Sequence, residues 1–261
     1  MFDPVLITLA LTVLSGVLIG LFLTVFGGGG SVLAAPLLLY VVGVRDPHVA
    51  IGTSAAGVAV NAVTGLVGHG RAGSVKWPCA VVFAGAGLTG TLVGSTIAKQ
   101  IDGASLLLWF AAAMAVIALS MLRPQKGEGD PSVTLDWRLT LKLAPMGLAA
   151  GLAAGFFGIG GGFLIVPGLM AATGMTLKHA QASSLVSVAL FGAATAANYA
   201  LSGLVDWSLV AALVVGGAVG TVAGLPIARR LGDRAKLGRT LFAGLILIVA
   251  AYVAWRATHG G

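Results

Sequence analysis

The chain has 261 residues, of which 58% are hydrophobic and only 9% charged. Soluble domains carry about 25% charged residues, so an ordinary soluble globular protein is excluded. The formal net charge of +7 does not point to nucleic acid, because the basic residues sit in short loops between apolar runs, where the positive-inside rule puts them. Forty glycines without a G-X-Y period exclude collagen and fit closely packed membrane helices. Cys79 is the sole cysteine, which rules out a disulfide framework and a CxxC metal site.

The first apolar run, residues 5–26, lacks a basic leader region and a small-residue cleavage site; it reads as a retained helix. The runs that follow in the first half are 31–42, 49–69, 77–98 and 104–122. Residues 123–142 hold seven charges and read as a cytoplasmic connecting loop. The second half gives 143–157, 162–173, 180–201, 207–228 and 237–254. A spanning helix needs roughly 20 apolar residues, so the runs fill the chain and leave no extramembrane domain.

The order of run lengths repeats, and so do residues. Phe26-Gly-Gly-Gly-Gly-Ser31 with Leu33 and Pro36 matches Phe157-Gly-Ile-Gly-Gly-Gly162 with Leu164 and Pro167, an offset of 131. At an offset of 130, Val75, Trp77, Gly90, Thr91, Gly94, Ile97 and Ala98 meet Val205, Trp207, Gly220, Thr221, Gly224, Ile227 and Ala228. These spaced identities mark a duplication, with residues 1–122 as one repeat and 143–261 as the other. The expected fold is an all-α polytopic membrane protein, one transmembrane domain of about ten segments. It consists of two inverted five-helix repeats with short, glycine-broken second helices.

Charge counting supports the inversion. With ten crossings, one face collects Arg71, Lys76, Arg123, Lys126, Arg138, Lys142, Lys178, Arg229, Arg230, Arg234, Lys236 and Arg239, and the other only Arg45, Lys99 and Arg256. If the two short runs were re-entrant, the split would be eight to seven. The biased count favours ten crossings with both termini periplasmic.

The second run of each repeat covers roughly 18 Å at 1.5 Å per residue, short of a hydrocarbon core of about 30 Å. The glycine clusters before these runs should therefore dip into the membrane, where irregular backbone survives only against protein or a water-filled cavity. A helix beginning there offers free N–H groups and a positive dipole end to an anion. The candidate binding groups are the amides of Gly28, Gly29, Gly30 and Ser31, and of Gly160, Gly161, Gly162 and Phe163. No Lys-Ser or Lys-Thr follows the glycines, which excludes a nucleotide-binding P-loop. Gly85, Gly87, Gly90, Gly94, Gly216, Gly217, Gly220 and Gly224 read instead as packing positions.

No Asp, Glu, Lys or Arg falls in the middle of a run. This argues against a carboxylate proton relay and against an intramembrane enzyme. The third run of each repeat carries neutral polar groups: Thr53, Ser54, Asn61 and Thr64, then Ser183, Ser184, Ser187, Thr195 and Asn198. Ser and Thr often bond back to their own helix, whereas an amide in hydrocarbon is costly unless paired. Thr53, Ser54, Asn61, Ser183, Ser184 and Asn198 join the candidate site. His48, His69, His179 and His259 lack partners at metal-ligand spacing and read as interfacial; no cofactor is indicated.

The paired motifs, each followed by His48-Val-Ala-Ile-Gly-Thr-Ser54 or His179-Ala-Gln-Ala-Ser-Ser184, resemble the TauE/SafE family, also called the toluene-sulfonate uptake permease family. The resemblance covers nearly the whole chain. It implies a secondary transporter that moves sulfite, sulfoacetate or aryl and alkyl sulfonates across the bacterial inner membrane. The residues themselves supply only "small anion". An anion channel is the rival reading, and coupling to H⁺ or Na⁺ stays open.

Overall fold

Polar residues between the apolar runs act as helix start signals. Asp46 accepts from the His48 N–H at 2.8 Å with Pro47 in the first turn, Asp136 accepts from Leu139 N–H at 2.7 Å, and Thr176 caps the helix that follows it. Such caps satisfy amides that a helix start leaves free. The computed structural model describes residues 4–122, 129–158, 162–232 and 235–259.

Helix α1 (Pro4–Phe26) runs into a 3-10 helix (Gly27–Leu33), a single α turn α2 (Ala34–Leu37) and a π turn (Leu38–Val42). The other helices are α3 (Pro47–Arg71), α4 (Trp77–Ala98), α5 (Gly103–Leu122), α6 (Trp137–Phe157), α7 (Gly162–Thr173), α8 (Leu177–Ala200), α9 (Trp207–Gly232) and α10 (Ala235–His259). Among the described residues, seven stretches are long and apolar enough to cross a membrane. They are α1 continued to Val42, α3, α4, α5 to Ser120, α6, α8 and α9 to Ala228; Leu164–Thr173 and Ala243–Ala257 are shorter apolar helices.

Two of the differences from the run boundaries have a clear local cause. The α6 helix starts at Trp137, six residues before its apolar run, because the Asp136 cap carries the charged turn into the helix. The 31–42 run is not one helix. Four successive glycines each disfavour α geometry by about 1 kcal/mol relative to Ala, Pro36 has no amide to donate, and the segment changes helix type twice before Gly43 ends it at φ +86°.

Glycines set how the helices pair. Added side-chain carbons at Gly16, Gly20, Gly216 and Gly220 would run into the backbones of Leu213, Gly217, Val13 and Val17, so α1 and α9 lie parallel with their backbones in contact. Repeat-related residues do the same for α4 and α6: Gly147 abuts Phe83, Gly151 abuts Gly87, Gly155 abuts Thr91, and Gly90 and Gly94 abut Leu148 and Leu152. Two further pairs, α3 with α8 and α5 with α10, join each helix to its own counterpart in the other half. The α3/α8 pair is antiparallel, with Gly52 on Tyr199, Gly192 on Ala55 and Ala59, and Gly65 on Leu185.

Between these pairs the hydrogen bonds also match. Thr53 Oγ1 accepts from Asp206 N–H, and Ser183 Oγ accepts from Lys76 N–H, both at 2.9 Å; each pair maps onto the other by 130 residues. The C-terminal ends of α1 and α3 lie together, because His69 Nε2 meets Thr24 O at 3.2 Å. The chain between Phe26 and Pro47 therefore returns to the end from which α1 started.

Seven of the eight glycines read as packing positions sit against a neighbouring helix or side chain; Gly85 faces open space. Gly151→Ala should lower the melting temperature of the detergent-purified protein clearly, because overpacking typically costs about 1–3 kcal/mol. Gly85→Ala should leave it unchanged or slightly raised. Equal melting temperatures for the two variants would contradict this packing.

Candidate functional site where two glycine breaks meet

The breaks are built alike. Gly27 ends α1 at φ +64°, and Gly158 ends α6 at φ +66°; left-handed backbone of this kind favours glycine. Gly27 lies on the backbone of Gln181, where an added Cβ would come within 2.5 Å, and Gly158 lies against the side chain of Ile51. Gln181 and Ile51 are repeat partners near the starts of α8 and α3. Since these helices are antiparallel, the two breaks approach from opposite ends of the pair.

They converge on each other. A Cβ on Gly28 would sit 2.7 Å from the Gly162 Cα and 2.6 Å from the Val188 side chain, and one on Gly162 would overlap the Gly28 backbone. Gly28 N–H donates to Ser184 Oγ at 2.9 Å, and the Ser184 hydroxyl donates to Gln181 O at 2.7 Å. Ser31 Oγ donates to Gly28 O at 2.8 Å, and Ser54 Oγ donates to Ile51 O at 3.0 Å. Gly28, Gly29, Gly30 and Ser31 are all buried, with Gly30 pressed on the backbone of Phe22 and Leu23. Gly160, Gly161 and the Phe163 side chain lie outside the described residues.

The remaining candidates are placed around this junction in different ways. Thr53 and Ser183 hold the starts of α9 and α4 through the bonds to Asp206 and Lys76. The Asp206 carboxyl caps α9; the Ser208 hydroxyl, helped by the Leu209 and Ser208 amides, holds its pKa below the ordinary value against the upward push of burial. Asn198 lies away from the breaks. Its Nδ2 donates to Ser95 Oγ at 2.6 Å and Thr96 Oγ1 at 3.0 Å, and its Oδ1 accepts from Lys99 Nζ at 2.8 Å. Lys99 also donates to Asn198 O at 3.0 Å and Ser202 Oγ at 2.9 Å. These contacts use all three ammonium protons, so Lys99 fastens α4 to α8 and has no donor left for a ligand.

Asn61 is 1% exposed and packs on Gly217, directly above the α1/α9 contact. Its Nδ2 donates to Leu213 O at 3.3 Å, while its Oδ1 has no partner. A buried polar atom without a partner costs about 1–3 kcal/mol. The repeat-related position is Phe191, which fills the space above Gly87 in the same way. One niche thus holds an amide in the first half and a phenyl ring in the second.

Sequence reasoning missed Gln181, Ile51 and Val188, which wall the breaks, and the reach of Lys99 across to α8. Ordinary helix residues give no local sign of a partner more than 100 positions away. The duplication does carry one signal, since residues 130 apart from a known contact are the places to look.

A backbone donor and neutral hydroxyls meet here between helices of both halves, in a chain whose long apolar helices mark a polytopic membrane protein. The sequence model of the family described as "Sulfite exporter TauE/SafE" matches residues 12–253, and the chain belongs to that family of membrane transporters. A probable membrane transporter protein of Xylella fastidiosa (strain Temecula1) is 45% identical over 254 residues, covering 96% of each chain. The probable membrane transporter protein YdhB of Bacillus subtilis is 26% identical, covering 79% of this chain and 85% of its own. A probable membrane transporter protein of Methanocaldococcus jannaschii, MJ0441, is 28% identical over 188 residues. No solved structure matches.

Ser184→Ala removes the acceptor of a buried amide. The expected result is a loss of about 1–3 kcal/mol of stability, read as a lower denaturation midpoint, with a smaller loss for Ser184→Thr. An unchanged midpoint in the alanine variant would show that Gly28 N–H finds another acceptor.

Proposed function

We propose that the protein is a secondary transporter for small sulfur-containing anions such as sulfite, sulfoacetate or aryl and alkyl sulfonates. It works by alternating access in a bacterial inner membrane. The observation that carries this reading is the meeting of Gly28 and Gly162, two breaks from different halves that approach from opposite ends of the α3/α8 pair. Discontinuous helices that meet at a repeat interface are the usual solute sites of such carriers. The family description supports the sulfur chemistry.

The site acts on an anion through neutral donors. Gly28 N–H already points at an acceptor oxygen, Ser184 Oγ, and an oxygen of the anion takes that place when the hydroxyl turns away. The amides of Gly29, Gly30 and Gly162 and the hydroxyls of Ser31 and Ser54 are the further donors proposed for it. Preorganised amides bind an anion without placing a lysine or arginine in hydrocarbon, which costs several kcal/mol.

Ten crossings in two inverted repeats fit the helix directions. Parallel α1/α3, α1/α9 and α4/α6 with antiparallel α3/α8 are the directions expected if each broken segment reverses the chain. Re-entrant segments would make α3 and α8 parallel. Arg71, Lys76 and Lys178 then share the cytoplasmic end, and Arg45 and Lys99 the other, which leaves both termini periplasmic. A C-terminal alkaline phosphatase fusion should be active and a green fluorescent protein fusion dark; the reverse pattern would overturn this orientation.

The substrate is tested by thermal shift of the purified protein against sulfite, sulfate, thiosulfate, sulfoacetate, taurine, toluene sulfonate and matched carboxylates. A bound anion stabilises by mass action, about 2.7 kcal/mol at one hundred times Kd. A rise selective for a sulfur anion, lost in Gly29→Leu, is expected. Single-channel currents in bilayers in place of saturable flux would make the protein an anion channel.

A further inference from the structure

Asn61 has the wrong polarity for the anion itself. Leu213 O is a carbonyl oxygen and only accepts, so the nitrogen of the Asn61 amide must face it. The unpartnered atom, Oδ1, is therefore a pure acceptor, buried where α1, α3 and α9 meet. A sulfonate or sulfite oxygen brings no proton to it and would be repelled. Such an oxygen is satisfied by a hydrogen-bond donor or by a cation, and hard monovalent and divalent cations take neutral carbonyl and hydroxyl oxygens as ligands.

Two further observations bear on the same place. Ser15 is 1% exposed and its Oγ also has no partner. It precedes Gly16, whose added Cβ would come within 2.5 Å of the same Leu213 O that Asn61 contacts. And the fold has no packing need for an amide here, since Phe191 fills the equivalent niche over Gly87 in the other half. Two orphaned oxygens thus lie on α1 and α3, two helices that pack on each other, in the first half only.

We propose that Asn61 Oδ1 and Ser15 Oγ are ligands for a small cation that travels with the anion, the free ion being Na⁺. The proposal rests on the anion-carrier reading for its purpose, because an opposite charge nearby offsets the cost of bringing an anion into a low-dielectric interior. Its geometry is independent of that reading. The same oxygens would also accept the ammonium head of an aminoalkyl sulfonate, and the experiment separates the two sources.

The purified protein is titrated with NaCl, KCl and N-methylglucamine chloride at constant ionic strength, without any sulfur anion, and melting temperature is read. Wild type should rise selectively with Na⁺. Asn61→Leu should abolish the rise or move its midpoint by at least about tenfold, equivalent to 1.4 kcal/mol. Ser15→Ala should move it upward, and Asn61→Asp should move it downward by adding charge to the oxygen. If taurine instead stabilises wild type in N-methylglucamine buffer, and not Asn61→Leu, the cation is the substrate's own ammonium. Absence of both responses in wild type, or equal midpoints in wild type, Ser15→Ala and Asn61→Asp, overturns the site. The sulfite response of the Asn61→Leu protein is read in parallel. Absence of a sulfite response in wild type counts against the anion reading alone, while a Na⁺ response without it leaves the cation site standing.

Discussion

Helices in lipid gain nothing from hiding apolar side chains, because hydrocarbon already surrounds them. What holds them is contact, and contact deepens as side chains shrink. In this protein that constraint governs nearly everything else. Gly16 and Gly20 bring α1 onto α9, and Gly147, Gly151 and Gly155 bring α6 onto α4. Each pair takes one helix from each half, so the two halves are interleaved and the centre of the molecule belongs to both.

This interleaving is what brings the breaks together. Because α1 is held to α9 and α6 to α4, the chain ends at Phe26 and Phe157 are fixed on either side of the α3/α8 pair. Gly28 and Gly162 then close the gap between them. The breaks need the surrounding protein in turn, since their backbone groups have no water to bond and must find partners inside. Ser184 supplies one to Gly28, and Gln181 supplies one to Ser184. A solute that competes for such bonds exchanges one internal partner for another.

The departures from exact repetition are as informative as the repeats. Thr53 and Ser183 do the same work in both halves, each holding the first amide of a helix in the other. Asn61 and Phe191 occupy equivalent niches with opposite chemistry. Lys99, Asn198 and Ser202 tie α4 to α8 at one end. Symmetric parts build the scaffold, and the differences give its two halves distinct character.

Much was legible from residues alone. Run lengths, with Trp77 and Trp207 at run starts, defined most of the helices and the membrane setting, because these depend on local composition and on spacing along the chain. The packing role of Gly87, Gly90, Gly94, Gly216, Gly217, Gly220 and Gly224 was legible too, since glycines in membrane helices usually serve close packing. The start of α6 and the changes of helix type within the 31–42 run were not, since a cap or a helix-type change depends on a few atoms that hydropathy does not weigh. Nor was the placement of the polar groups. Sequence put Thr53, Asn61, Ser184 and Asn198 into one candidate set, and only tertiary structure separated them: Ser184 to the break, Thr53 to a helix start, Asn61 to a half-satisfied niche, and Asn198 to the Lys99 clasp. The reason is physical. Whether a side chain faces the membrane is set by its own helix, but which atom it bonds to is set by a neighbour more than 100 residues distant, whose position exists only once the helices have packed.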